Sequence, residues 1–401
     1  MSKQTLIFGG DFSTPSADPV MSAEKLCEGV MPILENSDFR MFQLEEAYLS
    51  QPVERSVDGN LSKVLDFLDG KLDLVTLSGN HFYDFGEDGV EGTIAWCEKH
   101  GIAHCGGGHN IEESKVPAYV EKDGTKVGVV AFNAVGGKQQ FATETRGGSN
   151  PIAFNRAYIP VDDIPWEAQA KQKHEFDNWS LKNPVHIDAD CMGFNYMNPS
   201  AVLDYAEQVR AARENCDILI VYLHKGYVHR QVLVDDWERL LSHIAIDNGA
   251  DVVMASHCHI SHGVEMYKGK AIYHGLNNFV MYTPQLAPGF TGKVHGDAHN
   301  AEWVKQRIAR FGFVPDPEYP TYPFHPDSIY CHAAKLVIED KKIKEYRMIL
   351  MLTEKSGIPY VHGHTEKGQE IYDFMERITR EAGFDTQFSW DGDEVVLKPG
   401  K

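Results

Sequence analysis

Over the first hundred residues, short apolar runs ended by glycine or a polar residue alternate with stretches of helical spacing. Residues 5–10 (TLIFGG) predict a strand, and Leu26, Val30, Ile33 and Leu34 predict a helix within 22–35. The alternation continues with a strand over 39–44, a helix over 61–68 and a strand over 72–77. A helix over about 87–100 follows, with Val90, Ile94 and Cys97 on one face and Gly101 as its stop. Strand–helix alternation of this kind argues for a sheet with parallel strands and helical crossovers.

Beyond residue 100 the pattern changes. Residues 118–121 and 126–132 flank Asp123-Gly124, a hairpin signal. Residues 134–200 are rich in Gly, Asn, Pro and Asp and read as a long surface excursion. Regular structure resumes with a helix over 201–214, a strand over 218–223 and a helix carrying Trp237, Leu240, Leu241, Ile244 and Ala245. A strand over 252–255 and a hairpin around Lys268-Gly269 come next. Residues 284–330 form a second irregular, proline-rich segment. The section 331–401 offers a hairpin, a helix near 366–381 and short strands that would complete the fold. With no internal repeat and no low-complexity tract, the chain 1–401 reads as a single domain in which 134–200 and 284–330 are insertions near the working edge.

Composition narrows the function classes. Thirty-eight Lys and Arg against 58 Asp and Glu give a net charge of −20, a field that repels phosphate backbones and anionic membranes. Nucleic acid and membrane partners are therefore not expected. The N-terminal residues lack a basic stretch followed by a long apolar one, so a cytoplasmic location is expected. Seven scattered cysteines without a C-x-x-C pair argue for reduced thiols.

The placement of the polar residues carries the chemistry. Strand one runs into Asp11, strand two into Glu45, strand three into Asn80-His81, a later strand into His224, and the next into His257-Cys258-His259. In an open α/β sheet the carboxyl ends of parallel strands share one edge, so residues far apart in sequence can converge there. A carboxylate at such an end is commonly a helix cap, and an isolated His-x-His is commonly a surface pair. Five strand ends in agreement are harder to assign to coincidence. The mixed oxygen and nitrogen donors suit Mn, Fe or Zn better than Ca or Mg.

These motifs resemble one family. Gly10-Asp11, Leu44-Glu45, Ser78-Gly79-Asn80-His81 with Asp84-Phe85-Gly86, Leu223-His224-Lys225-Gly226, Ser256-His257-Cys258-His259 and the run Tyr267 to Phe279 are similar to the bacterial capsule-synthesis (poly-γ-glutamate, CapA-like) proteins. That family is similar in turn to the calcineurin-like metallophosphoesterases. The resemblance implies an α/β fold, a four-layer α/β/β/α sandwich with two divalent transition metals (Mn, Fe or Zn) at the strand ends. By position it implies Asp11, Glu45 and His259 on one metal and Glu45, Asn80, His224 and His257 on the other, with His81 beside them as a proton donor. Ser13 stands where the phosphoesterases have a histidine, so one metal is expected to bind weakly. Lys225 and Gln43 also depart from the family pattern, and the membrane anchor of many capsule proteins is not expected here.

The leading expectation is a soluble metal-dependent hydrolase acting on a phosphoester or amide in a small molecule or peptide, with His81 and Asp11 in the chemistry. Arg307 and Lys225 are candidate substrate contacts, and the aromatic residues of 301–330 form either a substrate surface or a cover over the core. Two alternatives are a peptide epimerase that uses the same metal-site residues for acid/base exchange, and a non-catalytic component of polymer synthesis.

Overall fold

The computed structural model describes residues 3–14, 21–52, 61–160, 191–283, 305 and 308–400. The chain begins with β1 (Gln4–Ser13), the short helices α1 (Ala23–Leu26) and α2 (Met31–Glu35), β2 (Phe39–Leu44), a 3-10 turn over Ser62–Leu68, β3 (Leu74–Thr76), α3 (Gly86–Lys99) and β4 (Ala103–Cys105). The helix expected over 22–35 is broken in two. Pro32 lies in the first turn of α2 and could not continue a helix from α1 without losing a backbone donor and clashing with the preceding turn. After the two-residue strand β5 (Gly107–Gly108) and helix α4 (Ile111–Ser114) come the hairpin β6 (Ala118–Lys122) and β7 (Thr125–Asn133). It turns at Asp123-Gly124, where both residues have positive φ.

The excursion expected over 134–200 holds more order than its composition suggests. It contains β8 (Gly148–Ser149), and β9 (Phe154–Pro160) pairs antiparallel with β10 (Cys191–Met197). The chain continues through α5 (Pro199–Arg213), β11 (Ile218–Lys225), α6 (Asp236–Asp247), β12 (Val252–His257), the hairpin β13 (Val264–Tyr267) and β14 (Lys270–Tyr273), and β15 (Asn278–Met281). It closes with β16 (Tyr330–Glu339), β17 (Lys342–Thr353), β18 (Pro359–Val361), α7 (Glu366–Glu381), β19 (Gln387–Asp391) and β20 (Glu394–Lys398).

Two main sheets result. The first runs β19-β20-β17-β16-β1-β2-β3-β4, with β15 added on β1 and β18 on β17. The second runs β13-β14-β12-β11-β7-β6. Strands β1 to β4 are mutually parallel, as are β7, β11, β12 and β14. Residues 331–400 belong to the first sheet through β16, which pairs antiparallel with β1.

Alternation along the strands divides the core into layers. Leu6, Phe8 and Met41 of the first sheet pack against Val129, Ile220 and Met254 of the second, forming the seam between the sheets. Ile7, Phe42 and Val75 point the other way and meet Leu26, Leu34, Ile94 and Cys97 from the helices outside the first sheet. Val221, Leu223 and Val253 likewise meet Tyr205, Val209, Leu241 and Ala245 of α5 and α6. Helix, sheet, sheet, helix is thus the layer order, a four-layer α/β/β/α sandwich. The helix α7 departs from it, burying Ile371, Met375 and Ile378 in the inter-sheet core. Cys27, Cys97, Cys105, Cys216, Cys258 and Cys331 are free thiols, and among the described residues no helix is long and apolar enough to cross a membrane.

Candidate metal centre

The carboxyl ends of β1, β2 and β3 in the first sheet meet those of β11 and β12 in the second. Strand β1 carries a register shift between Gly9 and Asp11. Such a bulge re-aims the side chain that follows it. Gly10 is required there, because a Cβ would stand 1.9 Å from the carbonyl oxygen of Asn277, which accepts from the Asp11 N–H at 2.9 Å. Gly79 makes a similar allowance: a Cβ on it would approach the Glu45 carbonyl at 2.9 Å and the Gln43 amide nitrogen at 2.8 Å.

Glu45, His224 and His257 are buried together, each offering one ligand atom within 4.8 Å of the others. The Nε2 of His224 lies 2.8 Å from Asn80 Oδ1, 3.1 Å from His257 Nδ1 and 3.5 Å from Glu45 Oε2. Both carboxylate oxygens of Glu45 are buried and accept no hydrogen bond from the described residues. A buried carboxylate left without donors costs several kcal/mol unless a cation neutralises it. Burial, and then the neighbouring Asp11, push the Glu45 carboxyl well above its ordinary range. Burial also holds the His224 imidazole well below its ordinary range and therefore neutral, the form that ligates. The donor set of one carboxylate, one amide oxygen and two imidazoles fits a borderline divalent ion.

Asp11 is placed differently. One oxygen accepts from the Ser256 hydroxyl and the other from the His257 N–H at 3.0 Å. Burial pushes its carboxyl up to about 7, against the lowering effect of those two donors. His259 Nε2 lies 3.9 Å from Glu45 Oε1, and His259 Nδ1 lies 3.7 Å from Asp11 Oδ2. Thus the Asp11 and His259 side of the cluster is the looser one. Ser13, where a further imidazole was expected to be missing, is a buried residue of β1. His257 and His259 both hold positive φ, 105° and 51°. Backbone strain at non-glycine residues is kept where surrounding contacts over-determine it, commonly at functional positions. His81 stands at the rim with its side chain 37% exposed and its Nδ1 2.6 Å from Asp84 Oδ2.

Residues 5–283 match the family of bacterial capsule synthesis proteins, PGA_cap. The chain belongs to that family. Among curated relatives, it is 22% identical over 265 residues to the PGA biosynthesis protein CapA of Bacillus subtilis (strain 168), covering 64% of this chain and 57% of that one. It is 21% identical over 260 residues to the capsule biosynthesis protein CapA of Bacillus anthracis, covering 63% and 52%. A probable polyglutamine synthesis accessory protein of Mycobacterium tuberculosis (strain CDC 1551 / Oshkosh) is 25% identical over 205 residues, covering 51% and 44%. The chain thus spans about half the length of these relatives. The solved NAD nucleotidase NadN of Haemophilus influenzae superposes with a TM-score of 0.36 at 9% identity, covering 94% of this chain and 63% of that one.

All six expected ligands, Asp11, Glu45, Asn80, His224, His257 and His259, fall inside the family match, and the two sheets bring them to one place. Lys225 does not belong with them. Its side chain is 0% exposed, its ammonium donates to Glu238 at 3.0 Å and to His274 Nδ1 at 3.1 Å, and the expected substrate contact is an internal ion pair. As the residue after His224 it alternates to the opposite side of β11, away from the ligands. Arg307 and Trp303 lie outside the described residues. The aromatic residues of this region that are described form a cover: Phe311 and Phe313 stand edge-on to His229 at 4.9 Å, and Phe324 lies 5.2 Å from His259. Tyr222, whose hydroxyl lies 3.0 Å from His224 Nδ1, was not foreseen, since a hydroxyl inside an apolar run gives no pattern of its own; Ser256 and Tyr322 stood in the motif and in the aromatic segment without a supporting role.

The Lys225 pair continues outward. His274 Nε2 lies 3.0 Å from Glu265, which also meets His243. Burial pushes His274 down to about 3, whereas the bonds from His274 and His243 overcome burial and draw Glu265 down to about 2. Both depressed values act in one direction. Below its ordinary 6.5 the unfolded His274 takes a proton that the folded residue refuses, and below 4.5 Glu265 does the same. Stability carried by the pair is complete above about pH 6.5 and drains as the pH falls toward 2. His274→Gln keeps an acceptor and a donor without titrating, so its denaturant midpoint should fall less between pH 7 and pH 4 than that of the parent chain. An equal fall in both proteins would contradict this assignment.

Proposed function

We propose that the chain is a metal-dependent hydrolase that cleaves a phosphoester or amide bond in a small molecule or peptide. The observation that supports this most is Glu45, whose two buried oxygens accept no hydrogen bond from the described residues while His224 and His257 converge on them, with Asn80 against His224. Glu45, Asn80, His224 and His257 would hold one divalent transition ion, and Asp11 and His259, sharing Glu45, a second, weaker one. Such ions supply Lewis acidity and lower the pKa of water toward neutrality. His81 supplies the proton to the departing group: Asp84 accepts from its Nδ1, which orients the ring, and the protonated ring gives up its Nε2 proton. The names of the relatives suit a glutamate-polymer or peptide substrate, so amides of glutamate belong in the first substrate panel beside phosphoesters.

Metal analysis after dialysis is the direct test. The parent chain should retain about one equivalent of Mn, Fe or Zn and take up a second only when it is supplied in excess. His257→Ala and Asn80→Ala should each lower the retained metal severalfold. A parent chain that holds no transition metal and does not respond to added metal would remove this reading. Turnover of neither substrate class, with solvent deuterium incorporated at an α-carbon of a peptide, would replace hydrolysis by epimerisation.

A further inference from the structure

Resting on the metal reading above, we infer that two separate hydrogen-bond chains set the tautomers of His224 and His259, so that each imidazole presents a bare Nε2 to Glu45. Tyr222, Ser256, Asn278 and Tyr322 are the positioning residues of these chains.

The first chain ends on Asp11. A carboxylate only accepts, so the Ser256 hydroxyl donates to Asp11 and its oxygen accepts from the Tyr222 hydroxyl. With its hydrogen committed, the Tyr222 oxygen can only accept from His224 Nδ1, 3.0 Å away. The proton of neutral His224 therefore sits on Nδ1. The bare Nε2 then faces Asn80 Oδ1 at 2.8 Å, lone pair to lone pair, an approach that a cation between them makes favourable. All four residues of this chain are buried, so no water competes for the bonds.

The second chain ends on a backbone carbonyl. Tyr322 donates to the Ser328 carbonyl at 2.9 Å, and its oxygen accepts from Asn278 Nδ2 at 2.6 Å. That orients the Asn278 amide with its oxygen toward His259 Nδ1 at 2.8 Å, so this imidazole also carries its proton on Nδ1. Its Nε2 points at Glu45 Oε1. The two chains share no residue and reach the same result. An imidazole whose tautomer is chosen in advance does not have to reorganise when the ion arrives, and loss of such support costs about 10- to 100-fold in metal affinity.

The test uses the full chain, metal-stripped and labelled with 15N-histidine, at pH 8. Long-range proton–nitrogen spectra report the tautomer of each ring, with His224→Gln and His259→Gln identifying the two signals. Both rings should be in the Nδ1–H form. Zn2+ titrated against a chromophoric chelator then reads affinity. Tyr222→Phe removes the acceptor, and Ser256→Ala frees the phenol hydrogen to turn onto Nδ1; each should move His224 to the Nε2–H form and weaken Zn2+ about 10- to 100-fold. Ser256→Thr should not. Asn278→Leu should do to His259 what Tyr222→Phe does to His224, whereas Asn278→Asp, which still accepts from Nδ1, should keep both tautomer and affinity. Either ring in the Nε2–H form in the parent chain would overturn the inference, and this result needs no variant to fold. Tyr222→Phe and Asn278→Leu with unchanged tautomers and unchanged Zn2+ affinity would overturn it as well. A parent chain with both rings Nδ1–H but no affinity for Zn2+ supports the hydrogen-bond assignment and instead defeats the metal reading.

Discussion

His81→Ala is expected to keep its bound metal and to lose turnover by about 10²- to 10⁴-fold, the range typical of a positioned general acid. The expectation follows from where the ring stands. His224 and His257 are buried among the other donors, whereas His81 is at the rim, partly exposed, with Nδ1 taken up by Asp84. A protonated His81 held through Nδ1 by Asp84 can give its Nε2 proton to a departing oxygen or nitrogen without removing a ligand from the Glu45 cluster. Asp84→Asn should show a smaller loss in the same direction, since an amide can still meet the ring but stabilises its charged form less. Metal content measured beside kcat separates the roles. If His81→Ala strips the metal, the residue is a ligand and the acid must be sought elsewhere; if turnover is unchanged, it has no part in the reaction.

Lys225→Met is expected to destabilise the fold by about 3–5 kcal/mol, the cost of removing one partner from a buried ion pair. Glu238 is completely buried, donates nothing when ionised, and also closes the capping box of α6 by accepting from the Asp235 N–H. Without the ammonium its charge has no neutralising partner. The double variant Lys225→Met with Glu238→Gln should recover part of the loss, because the uncompensated charge is gone while the cap acceptor remains. Denaturant melts of the three variants check this. A near-wild-type midpoint for Lys225→Met, accompanied by a raised KM for an anionic substrate, would restore the substrate-contact role that the buried pair argues against.

How far the sequence reached can be judged residue by residue. The period of two in the strands and of three to four in the helices is written in the side chains, so β2 over Phe39–Leu44, the Asp123-Gly124 hairpin and α7 over Glu366–Glu381 were readable from local pattern. Where a break depended on a single residue, as at Pro32, periodicity ran on through it. The convergence of Asp11, Glu45, Asn80, His224 and His257 was also readable, because parallel strands place their carboxyl ends on a common edge whatever lies between them.

What the one-dimensional pattern could not carry was direction and company. Lys225 and His224 are neighbours in sequence, and only the pleat of β11 with α6 packed behind it sends one to Glu238 and the other to Asn80. Asp11 read as a ligand of one metal, and only the approach of β12 across the sheet seam gives both its oxygens donors from Ser256 and His257. Tyr222, Ser256, Asn278 and Tyr322 matter through bonds spanning up to 245 residues of chain, between Ser256 and Asp11. Hydrophobic periodicity by itself determined strands, helices and the parallel-sheet argument, since burial depends on which face a residue occupies, whereas the four-layer order was implied only by the family resemblance. Hydrogen-bond partnership depends on distances of about 3 Å between elements far apart in sequence, and only the packing of one sheet on the other decided it.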